Sequence, residues 1–544
     1  MRDAAANLVK RHWALLVAIA FFWLAIGILL IRVMAVSGGQ IVYGLDDPYI
    51  HMAMAKNLAG HGVWGVTSYE FSSSSSSPLW TMLLAVVYFV TGVHEITPLI
   101  LNVIFATILL ITVYWVFIKN GMIIHQAYVY AALLVMIFAI PLPTLALIGM
   151  DTTLQVLIDV LFVYLVVSEL SQGKPRRVDV SLLVLIALAM LVSTVRYEGF
   201  FIVFGALVLF AARRRWLLSA AMAAAAVLPL GIFGLISEAN GDYWLPNSVL
   251  IKGGGPNLMS SDGIIHLIHV IYFQILQRPA YLFVFIVALL FYIYRLSLGK
   301  GFWERGQLML SMFVNALIFH LVFIKSADFY RYDAYLIALG LFVLIPVVYE
   351  TFIDAVRKKK EWLATKYGAI ALLCLVVLVP LGERGFFCYQ YIPQASKNIF
   401  EQQYQMGLFL QQYYQGATVA ANDIGAINFL ADIKNLDLAG LGSIEVTRAI
   451  LAHNLNRGTI NEIAQLKGVK IAIVYDGWFQ DNGGMPSQWV QAGCWRIFNN
   501  VTCGGDVVSF YAVDPAEAPQ LKANLKAFST RLPADVYQSG SYLQ

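Results

Sequence analysis

Long apolar runs follow one another at short intervals over the first 380 residues of the chain, near 13–36, 98–118, 122–140, 152–170, 179–195, 199–212, 216–236, 280–296, 307–325, 331–350 and 366–382. A continuous run of about 20 apolar residues, rising 1.5 Å each, matches the roughly 30 Å hydrocarbon core of a bilayer. The runs are continuous rather than alternating, which excludes a β-barrel. Several are short for a bilayer, as in a bundle whose helices are broken or tilted around a cavity. The stretch Pro78–Gly92 has about 15 residues, roughly 22 Å of helix, and reads as interfacial or re-entrant. The expectation is a polytopic helical membrane protein of about 11 spans.

Beyond residue 382 the pattern changes. Apolar runs shorten to strand length at Thr418–Ala421, Asn435–Leu438, Val469–Tyr475 and Val507–Val513, with helical stretches such as Gly425–Ala431 between some of them. This alternation predicts a soluble α/β domain over 383–544, large enough to bury its own core, behind a membrane module over 1–382. Two loops punctuate the module. Residues 37–97 form a first loop with helices lying along the membrane, Tyr49–Leu58 ending at Gly60 and Gly62. Residues 237–278 form a second, where Pro246 and Gly253–Gly255 indicate irregular backbone. The run Ser72–Ser77 reads as a flexible linker, the alternative being a hydroxyl-rich loop ordered against a phosphate or glycan. Within Ile264–Leu276, His266 and His269 share a helix face at a spacing a metal could use, and a membrane-surface helix is the preferred reading.

Composition agrees: of 544 residues, 60% are hydrophobic and only 12% charged, and mean hydropathy is +0.72. A formal charge of +4 gives no reason to expect nucleic acid. The layout of charge is more informative. Lys119, the Lys174/Arg176/Arg177 group, Arg213–Arg215, Arg295/Lys300/Arg305 and Arg357–Lys360 fall in alternate loops. By the positive-inside rule these are cytoplasmic, which puts the N-terminus inside and the C-terminal domain outside. The first run, preceded by Arg2, Lys10 and Arg11, is too long for a signal peptide and reads as a retained helix. In an oxidising outer compartment Cys494 and Cys503, bracketing an expected hairpin, would pair as a disulfide.

Polar side chains gather at the outer ends of the spans. Asp46 and Asp47, with Tyr49, His51 and Lys56 behind them, are adjacent carboxylates at a membrane surface, and like charges there need an offsetting cation or proton. The plain alternative is a solvated pair capping the helix at Pro48. Asp151 begins a span, as a helix cap or a group facing a cavity. Arg196 with Glu198, and Arg331 with Asp328 or Asp333, read singly as local ion pairs. Taken together with Lys252 they ring one face of an apolar bundle, the equipment for holding a lipid-linked phosphate.

The order of motifs then carries a resemblance: Asp46–Asp47–Pro48–Tyr49, Ser77–Pro78–Leu79–Trp80, Gly149–Met150–Asp151–Thr152, Arg196–Tyr197–Glu198–Gly199, Trp244–Leu245–Pro246–Asn247–Ser248 with Lys252 following, and Arg331–Tyr332–Asp333. In the outer domain Asn422–Ile427 and Asp437–Leu441 continue it. The series resembles the GT-C membrane glycosyltransferases, nearest the mycobacterial arabinofuranosyltransferase B type and its bacterial relatives. It departs from that pattern with Asp151 for Glu, Tyr197 for Pro and serines for an Asn before Pro78, which weakens any transfer of arabinose specificity.

The resemblance implies a polyprenyl monophosphate sugar donor, a cell-envelope glycan or glycolipid acceptor, a bacterial plasma membrane and a site on its outer face. Asp46 or Asp47 would be general base, with Asp46 preferred because Asp47 precedes Pro48. Arg196, Glu198, Lys252, Arg331, Asp151, Tyr49, His51 and Asn247 would hold donor phosphate and sugar. From its position alone, the outer domain is expected to grip the acceptor. No cofactor is required; Mg²⁺ or Mn²⁺ on Asp46 and Asp47 is an option that nearby cations make unnecessary. A secondary transporter would predict internal repeats, and none is visible. A ligase or polymerase using polyprenyl diphosphate would not need the aspartate pair.

Overall fold

The computed structural model describes residues 2–172, 180–252, 279–324, 328–357 and 363–544, with isolated positions between 265 and 276. His266 and the side chains of Lys252 and Asp328 lie outside the described part. The membrane module contains α1 (Arg2–Val36), α2 (Asp47–His61), α3 (Pro78–Thr91), α4 (Thr97–Lys119), α5 (Gln126–Ala139), α6 (Leu142–Ile148), α7 (Thr152–Ser171), α8 (Val180–Val195), α9 (Gly199–Ala212), α10 (Trp216–Ala239) and α11 (Asn247–Lys252). It continues with α12 (Pro279–Ser297), α13 (Arg305–Phe323), α14 (Ala334–Arg357) and α15 (Leu363–Ile399). Each expected apolar run lies on one of these helices. Among the described residues seven helices are long and apolar enough to cross a membrane, and four shorter apolar ones accompany them.

Burial sorts the helices into layers. The apolar windows of α7 and of the α5–α6 pair are 78% buried, that of α10 only 17%. A helix that is apolar all round and enclosed by protein is a bundle core, whereas α10 turns Leu217, Leu228 and Leu235 outward at the periphery. Helix α3 buries Trp80, Leu84 and Tyr88 against its neighbours and exposes Val86, Phe89 and Val90. At one end of the bundle the cation-bearing loops converge: Arg215 Nη1 lies 2.6 Å from Glu169 at the end of α7, and Arg213 covers the Trp303 ring at 3.9 Å. The aspartate pair lies at the other end.

Helix α15 does not stop where the composition changes. It runs on past residue 382 to Ile399, widens into one π-helical turn at Phe400–Tyr404, and continues as α16 (Gln405–Tyr413). A 37-residue helix is about 55 Å long, so its last turns stand well clear of a roughly 30 Å hydrocarbon core. The outer domain follows with α17 (Ala426–Leu430), α18 (Ile444–Leu451), α19 (Arg457–Leu466) and α20 (Ala518–Phe528). Its sheet comprises β1 (Thr418–Ala421), β2 (Lys434–Asp437), β3 (Ile471–Val474), β4 (Val490–Arg496), β5 (Val507–Ala512) and β6 (Tyr537–Ser539), in the order β2-β1-β3-β5-β4-β6.

Strand β1 is parallel to β2 and β3, and the rest of the sheet is antiparallel. Alternate residues of β3 feed separate cores: Ile471 and Ile473 pack with Phe409, Trp495 and Phe528, Ala472 and Val474 with Val446, Ile460 and Phe479. The sequence pattern predicts β1, β2, β3 and β5. It misses β4, whose apolar residues are broken by Gly493 and a bulge, and β6, a three-residue edge.

Two expectations are corrected. Cys494 and Cys503 are free thiols. Cys494 Sγ lies 3.4 Å from Ser509 Oγ across the ladder, while the 497–506 loop turns Cys503 toward α15–α16, its Sγ 3.2 Å from Gln403 Oε1. The serine run is ordered rather than a loose linker. Ser77 Oγ donates to Val195 O at 2.6 Å, Ser74 Oγ to Leu441 O at 2.9 Å, and Ser72 Oγ accepts from Val66 N at 3.0 Å. Short hydroxyls satisfy backbone groups locally, so a polar run can be buried without a bound ligand.

Candidate active site

The site begins where the chain leaves α1. Asp46 occupies the position before the first turn of α2, and while its backbone carbonyl accepts from Tyr49 N, its side chain makes no bond to its own helix. Its carboxylate reaches the outer domain instead, accepting from Gly425 N at 2.7 Å and Ala426 N at 2.8 Å. A Cβ on Gly425 would sit 2.2 Å from the Asp46 carbonyl oxygen, so the approach requires glycine. Four residues beyond Asn422 the chain enters α17, and the other end of α17 is held from the same side: Lys56 Nζ donates to Asn428 O and Phe429 O at 2.9 and 2.6 Å. One carboxylate and one ammonium of the first outer loop thus grip the donor and acceptor ends of a single short helix. Burial and the charge of Asp423 push Asp46 up to about 8, against the lowering effect of the two amides. Burial brings Lys56 down to about 8.

Asp47 faces the membrane module. Its Oδ2 lies 2.5 Å from Arg331 Nη2, and its side chain keeps 28% of its surface exposed while that of Arg331 keeps 7%. The Arg331 guanidinium lies 5.1 Å from the ring centroid of Tyr332, and Arg196 approaches the same ring at 4.6 Å. Both are within cation–π range, so one tyrosine ties two guanidinium groups together. Arg196 is held by Glu198 (Nη2–Oε1 3.2 Å, Nε–Oε2 3.3 Å) and by Asp151 (Nη1–Oδ1 3.3 Å). The fold therefore joins Asp47, Arg331, Tyr332, Arg196, Glu198 and Asp151 into one polar track across the N-terminal ends of α7, α9 and α14. Gly149 shapes its floor: at φ +75° it makes the left-handed turn before α7, with the Tyr43 ring where a Cβ would go.

Local pairing of Arg196 with Glu198 is present, with Asp151 added. For Arg331 the expected partner Asp328 has its side chain outside the described residues; among the described residues Arg331 meets Asp47, and Asp333 meets Arg384 of α15 at 2.7 Å, both buried. Arg384 also donates to Tyr330 O. Sequence reasoning passes over Arg384, although a cation in mid-helix beside an apolar run is the signal that would have found it.

The other candidate residues lie in supporting positions. Tyr49 is fully buried, its hydroxyl accepting from Tyr43 N at 3.2 Å and its ring against Phe429. His51 is buried with Nδ1 2.8 Å from Thr81 Oγ1. Asn247 sits at a three-way junction, its amide donating to Asp242 Oδ2 at 3.2 Å and its N–H to Ser73 O, beside Leu441 O of the outer domain. Asp437 organises that last loop by accepting from Ala439 N and Gly442 N, and burial raises it to about 6.

A divalent cation needs several converging oxygens. Asp46 gives both of its oxygens to amides, Asp47 lies on a guanidinium, and among the described residues no three of His, Cys, Asp and Glu form a metal-sized group. The pair as arranged does not fit Mg²⁺ or Mn²⁺.

Residues 397–511 match a family described as a domain of unknown function, DUF8728. No curated protein matches the chain. Among solved structures, ArnT from Cupriavidus metallidurans bound to undecaprenyl phosphate is similar at 12% identity and TM-score 0.50, covering 92% of this chain and 99% of that one. The oligosaccharyltransferase of Archaeoglobus fulgidus in its apo form gives 11% identity and TM-score 0.53 over 93% of this chain and 75% of that one. The same archaeal protein, AglB, in complex with an inhibitory peptide and a dolichol-phosphate, gives 10% and 0.51 over 98% and 77%. At such identities the likeness concerns architecture, and it covers the membrane module and the outer domain together: this chain has the GT-C fold.

Proposed function

We propose that the chain is a membrane glycosyltransferase that moves a sugar, such as a pentose, from a polyprenyl monophosphate to a hydroxyl of a cell-envelope glycan on the outer face of a bacterial plasma membrane. The observation that carries this reading is the Asp47–Arg331 contact, continued through Tyr332 to Arg196. It sets a partly exposed carboxylate beside one arginine, with a second reached through the Tyr332 ring, at the mouth of an apolar bundle.

Asp47 takes the proton of the acceptor hydroxyl as that oxygen attacks the anomeric carbon. The bond from that carbon to the phosphate oxygen breaks, and the lipid monophosphate leaves with its added charge facing Arg331 and Arg196. Developing positive charge on the sugar ring is met by the nearby carboxylates, as in glycoside hydrolysis. Asp46 is the positioning residue: with both oxygens on the amides of Gly425 and Ala426, it fixes the backbone that presents Asp47. This reverses the preference drawn from Pro48. Two guanidinium groups also suit a diphosphate donor, so a panel of donors is the test. Purified protein should transfer from a polyprenyl monophosphate sugar, and Asp47→Asn should not. Equal transfer by Asp47→Asn would sink the mechanism, and transfer only from diphosphates would replace the donor class.

A further inference from the structure

The outer domain carries a cleft that the transfer chemistry does not use. It has a volume of about 540 Å³ and lies between the projecting end of α15 and the edge strand β6, lined by Lys397, Glu401, Phe498, Asn499, Asp535, Tyr537 and Gln538 among others. That volume falls within the range of small-molecule sites, about 300–1,000 Å³.

Its chemistry is specific. Lys397 Nζ lies 2.5 Å from Asp535 and 3.4 Å from Glu401, so the cation is spent on carboxylates of the cleft itself and offers little to an anionic ligand. Gln538 is spent within the domain, its Nε2 donating to Ser529 O and its Oε1 accepting from the Tyr542 hydroxyl. What remains outward is the exposed Asp535 carboxylate, the amide of Asn499, which both donates and accepts, and two aromatic rings. Phe498 is 53% exposed and Tyr537 58%, large values on a domain that buries most of its aromatic residues, Trp478 at 46% being a further exception. Exposed ring faces beside a planar amide and carboxylates, which one lysine leaves with a net negative charge, match a ligand with apolar C–H faces and a rim of hydroxyl donors and disfavour an anionic one.

The cleft also connects to the site. Phe498 O accepts from Asn398 Nδ2 at the tip of α15. The same loop reaches Thr502, whose Oγ1 donates to Gly44 O at 2.9 Å, two residues before Asp46. Four residues of chain span at most about 14 Å, so the cleft and the start of the aspartate segment are separated by a few sugar lengths.

We propose that this cleft binds a neutral saccharide chain, the part of the acceptor glycan remote from the hydroxyl that receives the sugar. The assignment rests on the transfer reading for its role, but its test does not. Saturation-transfer NMR on the full chain in nanodiscs, with short linear arabinan, galactan, mannan and glucan oligosaccharides as probes, should show transfer to sugar protons for at least one of them. The double variant Phe498→Ala/Tyr537→Ala should weaken that binding about tenfold or more, the loss expected of two aromatic anchors. Tyr537→Phe alone, which keeps the ring, should retain most of it. Leu466→Ala, at an exposed position on α19 outside the cleft, serves as the control. Thermal melting of each variant reports whether it folds. Binding of none of the four probes, equal binding by the double variant, or preference for an extended peptide along the β6 edge would overturn the proposal. Saccharide binding without any sugar transfer would leave the cleft standing and fail the enzyme; transfer without it would do the reverse.

Discussion

The bundle carries a cluster of arginines and carboxylates at each end, and the two are built differently. At the end where the cation-rich loops gather, Arg295 lies 2.6 Å from Glu350 and 3.3 Å from Glu304, and Lys300 lies 3.2 and 3.6 Å from the same two glutamates. Two cations face two anions, three of the four from one short stretch of chain, and the glutamates remain well exposed. At the opposite end Asp47, Arg331, Arg196, Glu198 and Asp151 come from four separate segments, are mostly buried, and share an aromatic ring. Local pairs of the first kind, whose carboxylates are exposed although Arg295 itself is buried and keeps two of them within reach, contribute little and tolerate the loss of one carboxylate. Charges drawn from distant segments into a low-dielectric mouth cost desolvation, and a fold retains them where they are used.

That contrast can be broken in order of effect. The largest change is expected for Asp47→Asn, which should lower transfer by about 10²–10⁴-fold, the usual worth of a general base, while the melting temperature stays near wild type. Gly425→Ala should follow: its methyl group would displace Asp46, so kcat should fall about tenfold with donor affinity little changed, as expected when a positioning contact is lost. Arg331→Lys keeps the charge but loses the planar fork and ring contact, and should weaken donor binding about tenfold without rescue at higher pH.

A pH series on stability reads the Asp46 clasp. The folded state holds the Asp46 proton up to about 8, against 3.8 ordinarily, so it binds that proton more tightly than the unfolded chain. Stability from this group is present below pH 4 and is withdrawn as pH rises through 8. Asp46→Asn should flatten this part of a melting-temperature profile. Smallest of all, Glu350→Gln at the other end should shift stability by about 1 kcal/mol or less and leave transfer unchanged. A transfer defect there equal to that of Asp47→Asn would erase the distinction between the two clusters.

Much of the architecture was legible because membrane segments and alternating strands write their burial directly into hydropathy. The eleven runs fall on helices, and the motifs at Asp46–Asp47, Gly149–Asp151, Arg196–Glu198 and Arg331 fall where the track forms. The misreadings share one cause. Ser72–Ser77 reads as a linker from composition alone, and Cys494 with Cys503 as a pair from spacing, each a local inference about a contact made elsewhere. Arg331 and Asp47 are 284 positions apart, and the partner of Ser74 lies at Leu441.

The sequence by itself determined which segments are apolar enough to leave water, which loops carry the cations, where the strands of the outer domain run, and which polar residue types stand at helix ends. Those follow from short-range chemistry, in which a residue's neighbours in the chain set hydropathy and propensity. Only the tertiary structure decided that two adjacent aspartates part company, Asp46 to the amides of the outer domain and Asp47 to Arg331. Their roles depend on what lies across a gap, and the energies of burial and hydrogen bonding that fix them exist only once distant segments have closed around the pair.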